Sequence, residues 1–118
     1  MSKDLESSVR GFLREFQTKL KVWEVLYVAR EKNTQALIDL DITPKFRTKC
    51  LEQLTVEDYC EGPKLDKQYR GADLWVFGAM VKSAEVYIKI SLGHVDSKVL
   101  CISFHIAEHK MNYPLKTK

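Results

Sequence analysis

Two stretches near the end of the chain decide the fold: Val86-Tyr87-Ile88-Lys89-Ile90-Ser91 and Val99-Leu100-Cys101-Ile102-Ser103-Phe104-His105. In the first, even positions are aliphatic and odd positions polar or aromatic, the period of two that a strand with one buried face requires. In the second, Leu100, Ile102 and Phe104 are again apolar at even positions, while Ser103 and His105 are odd. Gly93 to Ser97 supplies a turn between them. A slip of one residue would exchange buried and exposed faces, so an antiparallel pairing must match odd with odd. Tyr87, Lys89, Ser103 and His105 are then expected on one sheet face, with His105 about one cross-strand diagonal from Tyr87.

Outward from this pair, Leu74 to Val81, with Trp75 and Phe77, reads as the third strand of a meander. The polar stretch CEGPKLDKQYRGAD before it, punctuated by Gly62-Pro63 and Gly71, is expected to be an exposed loop. Further upstream, Leu5, Val9, Phe12, Leu13, Phe16 and Leu20 recur at helical spacing. Glu6 with Arg10 and Glu15 with Lys19 supply oppositely charged pairs, giving an amphipathic helix of about five turns. Val22 to Ala29 is rich in β-branched and aromatic residues and reads as a strand. Asn33 is placed to cap a helix running through Leu40, and Thr43-Pro44 starts another whose apolar stripe is Phe46, Cys50, Leu51 and Leu54. Residues 1–118 therefore form one α+β domain: N-terminal helices packed on one face of a C-terminal antiparallel β-sheet whose other face is partly open.

Composition bounds the function. With 118 residues, 45% hydrophobic and 30% charged, the chain supports one modest core. Apolar runs such as Val25 to Ala29 and Val99 to Ile102 fall far short of the roughly 20 residues that span a bilayer. Three cysteines, Cys50, Cys60 and Cys101, show no CxxC spacing, and no charged-then-apolar leader precedes the fold. A reduced, cytoplasmic protein without structural disulfides is expected. A net charge of +3 does not by itself indicate nucleic acid. From Lys82 onward, however, six lysines face only Glu85, Asp96 and Glu108, and all three histidines fall in the same region.

Two chemistries compete for those histidines. His105, Glu108 and His109 form HxxEH, the pattern of an inverted zinc metallopeptidase. Such a site needs its ligands on one helix, whereas His105 ends a strand. A third ligand would have to come from His94 or a distant acid. The expectation is that no metal or other cofactor is bound. The face carrying Tyr87, Lys89 and His105 suits a phosphodiester better: a hydroxyl with a stacking ring, a cation, and a side chain type that titrates near neutrality. Metal-free RNA cleavage needs such parts, to activate the 2′-hydroxyl, stabilise the phosphorane and protonate the leaving oxygen.

The order of the strings LTVEDY, DLWVFG, EVYIKISLG and VLCISFH, spread over Asn33 to His105, resembles the MqsR family of bacterial type II toxins, mRNA interferases with a RelE-like fold. The resemblance implies a RelE-like arrangement of the helices and sheet and a toxin that cleaves single-stranded mRNA, leaving a 2′,3′-cyclic phosphate and a 5′-hydroxyl. It places the family's catalytic tyrosine on Tyr87 and its strand lysine on Lys89. The family's C-terminal catalytic lysine falls on His105, which retains a cation and adds a better general acid or base. A functional glutamine of the family falls on Val76, after Trp75, and a loop lysine falls near Glu61, where Lys64 or Arg70 would have to supply the charge. Lys82, Lys64 and Arg70 are expected to hold phosphates, and Trp75 and His109 to assist in stacking or acid chemistry. The implied partners are mRNA, a cognate antitoxin protein and the ribosome. Val76 and Glu61 raise an alternative, a catalytically inactive RelE-like binding or regulatory module.

Overall fold

The computed structural model describes residues 2–68 and 71–116. Among these, the order is α1 (Ser2–Trp23), β1 (Val25–Tyr27), α2 (Glu31–Leu40), α3 (Pro44–Glu52), a 3-10 turn (Val56–Asp58), β2 (Tyr59–Lys64), β3 (Leu74–Val81), β4 (Ala84–Ser91) and β5 (Val99–Ile106). The architecture is α+β, as the sequence predicts. One buried cluster joins Val9, Phe12, Leu13, Phe16 and Leu20 of α1, Ala36 and Leu40 of α2 and Leu51 of α3 to the sheet. Phe12 stacks on Trp75 at 4.7 Å between centroids.

The sheet has five strands in the order β1-β5-β4-β3-β2. It is mixed rather than wholly antiparallel, because β1 runs parallel to β5, with Val25 beside Val99 and Tyr27 beside Cys101. Local alternation reports that a strand exists but carries no information about which distant strand it joins, and β1 is drawn from the other end of the chain. It is also shorter than expected, because Val22 and Trp23 extend α1.

The segment expected to be an exposed loop instead opens with β2, the opposite edge of the sheet. Pro63 lacks an N–H and is tolerated there because an edge strand has one unpaired side. Gly62 has φ +120, and a Cβ on it would lie 2.8 Å from the Leu74 carbonyl. The glycine and proline that read as loop punctuation are therefore what an irregular edge strand requires.

Three local expectations are corrected. Asn33 is not a cap: Arg30 holds the N-cap position of α2, and Asn33 is buried. Its amide donates to Val28 O at 3.0 Å and Ile102 O at 2.9 Å, while its oxygen accepts from Phe104 N at 3.0 Å. Beyond Tyr27, where β1 ends, this side chain stands in for the missing strand and satisfies the edge of β5. Glu15 does not hold Lys19, whose ammonium donates to the carbonyls of Leu92 at 2.6 Å and His94 at 2.8 Å. Glu6 and Arg10 do pair, at 2.6 Å. In α3, Thr43 caps as expected, accepting from Phe46 N at 3.1 Å. Phe46 is nevertheless exposed, and Arg47 is buried with its guanidinium 3.5 Å from the centre of the Tyr27 ring.

Between β4 and β5 the expected odd-to-odd register holds for Tyr87 with His105 and Lys89 with Ser103. It then shifts by one, so that Ile90 pairs with Cys101 and Ser91 with Leu100. An extra residue in one strand inverts its alternation beyond that point. Cys101 and Val99 consequently enter the core beside Ile90 and Leu100 is left half-buried, while Ile102, the extra residue, stays fully buried. The bulge leaves the face carrying Tyr87 and His105 as the alternation predicts.

Candidate functional site

The sheet buries Phe77, Ile88 and Phe104 against the helices, and the residues between them project from the opposite face. There Tyr87 lies directly across from His105, closer than the expected diagonal. Their rings stack with centroids 5.3 Å apart and 15° between planes. Lys89 lies across from Ser103 on one side and Val76 on the other. A groove of about 640 Å³ opens over these residues, lined also by Arg30, Glu61 and His109.

The electrostatics of the groove are those of crowded cations in a half-buried place. Burial, followed by the charges of Arg30 and Lys64, pushes the Lys89 ammonium below its ordinary 10.5. Burial and Glu61 push the Tyr87 phenol up, against the opposing pull of Lys64 and Arg30. Tyr87 is therefore a neutral hydroxyl at physiological pH. The Nδ1 of His105 lies 3.0 Å from the Ile106 carbonyl. In the neutral ring that contact places the proton on Nδ1 and leaves the Nε2 lone pair free to accept.

The other expected site residues divide. His109 lines the same groove. Lys64 pairs with Glu61, and its charge reaches both Tyr87 and Lys89. Trp75 faces the other way, buried in the core between Phe12 and Tyr59, and is not available to stack on a base. Alternation explains this: Trp75 and Val76 must occupy opposite faces, and Val76 takes the groove side. Lys82 sits in the tight β3–β4 turn and donates to the Asp41 carbonyl at 2.7 Å, away from the groove. Arg70 lies outside the described residues.

No family model, curated protein or solved structure matches this chain. The zinc pattern is not assembled: His105 is on β5, Glu108 is paired with Lys32, and His109 follows in a loop. Among the described residues, no three His, Cys, Asp or Glu side chains converge in a way that could hold a metal ion. Arg30, which sequence patterning missed, lies beside the groove with its guanidinium 3.5 Å from Ser103 Oγ and 3.3 Å from Gln68 Oε1. Only the parallel partnership of β1 with β5 carries it there. What the arrangement offers is a stacked hydroxyl–imidazole pair flanked by Lys89 and Arg30, suited to proton transfer beside a bound anion.

Proposed function

We propose that this protein is the toxin of a type II toxin–antitoxin system, a metal-independent endoribonuclease that cleaves single-stranded mRNA to a 2′,3′-cyclic phosphate and a 5′-hydroxyl. The observation that carries the reading is the registered, stacked Tyr87–His105 pair with Lys89 in the same groove. In this mechanism the Nε2 of His105 takes the proton from the 2′-hydroxyl as that oxygen attacks phosphorus. Lys89 and Arg30 offset the charge that develops on the phosphorane. The neutral Tyr87 hydroxyl delivers a proton to the departing 5′-oxygen, and the proton held by the His105 imidazolium returns through solvent to the phenolate, which restores both groups. The motif resemblance over Asn33 to His105 supports the toxin class, the RelE-like fold and the expectation of mRNA, antitoxin and ribosome as partners in the cytoplasm. No helix among the described residues is long and apolar enough to cross a membrane.

The test is incubation of purified protein with a long single-stranded RNA in excess EDTA, mapping the cut ends, with His105→Ala alongside. Cleavage that survives chelation and disappears in the variant supports the reading. Glu61, an acid lining the groove, favours a second reading as an inactive binding module. An intact wild type that leaves RNA uncut and is harmless when expressed without an antitoxin would establish it.

A further inference from the structure

The chain does not leave the sheet after β5. It turns back across the open face, and Ala107 N donates to the Glu85 carbonyl at 2.8 Å. The Glu85 carboxylate then accepts from Met111 N at 3.2 Å and from the Tyr113 hydroxyl at 2.7 Å. Burial and Glu85 together push the Tyr113 phenol well above its ordinary range, so the hydroxyl stays a donor. Gly78 of β3 lies under this strap. A Cβ there would come within 2.9 Å of Tyr113 Cε1 and 3.0 Å of Met111 Sδ. Glycine weakens a strand interior, so its presence here fits the close approach of another segment.

The strap alternates. Met111, Tyr113 and Leu115 are half-buried, while Asn112, Pro114 and Lys116 are exposed. Asn112 lines the groove with His109 and Lys110, and its amide makes no hydrogen bond among the described residues. An amide presents both donor and acceptor, the pattern that recognises a base edge in an unpaired strand, whereas the lysines and arginine of the groove recognise only charge.

We propose that the segment 107–113 is a fixed wall of the RNA groove and that Asn112 reads a nucleobase flanking the scissile phosphate. Glu85 acts as the positioning residue that clamps the wall. The inference rests on the ribonuclease reading above.

The test is sequencing of cut ends from a randomised single-stranded RNA pool treated with wild type, Asn112→Ala, Glu85→Gln and Gly78→Ala. Asn112→Ala should lower kcat/KM at the preferred sequence about tenfold and flatten the preference, the size expected for loss of one base-edge contact. Glu85→Gln and Gly78→Ala should blur the same preference by loosening or lifting the wall, an effect that a purely structural role would not produce. Asn112 is exposed, so that variant carries the test even where Gly78→Ala fails to fold. An unchanged cut-site preference in Asn112→Ala, with wild type active, overturns this inference alone. A more active Gly78→Ala would make the strap a lid and overturn it too, while an inert wild type overturns both readings.

Discussion

Tyr87 and His105 are a registered cross-strand pair whose rings lie nearly parallel, 5.3 Å apart, on the open face of the sheet. Stacking holds the phenol and the imidazole in place, while the chemistry of the proposed reaction uses their polar atoms. The two roles separate by substitution. Tyr87→Phe keeps the stack and should leave unfolding free energy within about 0.5 kcal/mol of wild type, while lowering the RNA cleavage rate by on the order of 10²-fold. Tyr87→Ala should lose the same activity and also roughly 0.5–1.5 kcal/mol of ring–ring contact. Urea denaturation beside a single-turnover cleavage assay checks both.

Lys89 loses its charge at lower pH than an ordinary lysine because it is half-buried and faces Arg30 and Lys64. Below its lowered value the ammonium is present and, in the proposed reaction, would hold phosphate; above it the charge is gone. RNA affinity should therefore weaken below the usual lysine range near 10.5 as pH is raised. Lys89→Arg, whose guanidinium stays charged, should hold affinity further into alkali. Fluorescence anisotropy of a labelled oligonucleotide lacking the attacking 2′-hydroxyl reads this without cleavage.

Asn33 satisfies three backbone groups at the place where β1 ends and β5 continues. Asn33→Ala would leave the buried Phe104 N–H and Ile102 carbonyl without their partner, a loss of about 3 kcal/mol. For a domain of this size that lowers Tm by on the order of 10 °C, measurable by calorimetry. Activity should fall with it at temperatures where the wild type is intact, because Phe104 is the neighbour of His105.

Cys101 is fully buried, and burial pushes its thiol from 9.0 to about 12, against a smaller opposing pull from Arg47. Between those values the unfolded chain releases a proton that the folded chain keeps. Stability therefore falls as pH rises through that window, by up to about 1.4 kcal/mol per pH unit for this group. Tyr27, also pushed up to about 12 by burial, adds to the loss above its ordinary 10.0. Urea midpoints measured from pH 8 upward should decline, and Cys101→Ala should decline less steeply although it starts lower.

The sequence by itself determined the strands β3, β4 and β5, the amphipathic face of α1 and the face shared by Tyr87, Lys89 and His105. Each is a local periodicity, and local periodicity follows from backbone geometry alone. Tertiary structure decided everything that depends on which distant segments meet. The parallel partnership of β1 with β5 brought Arg30 to the groove, and the end of β1 turned Asn33 from a cap into a stand-in strand. The bulge in β5 brought Cys101 and Val99 into the core and left Leu100 half-buried. The pairing of Val76 with Lys89 decided which face of β3 meets the groove and so sent Trp75 inward, and the return of the chain over Gly78 placed Asn112 at the groove. Pairing between strands far apart in the chain is selected by the burial of the whole core, and that selection has no signature at any one position.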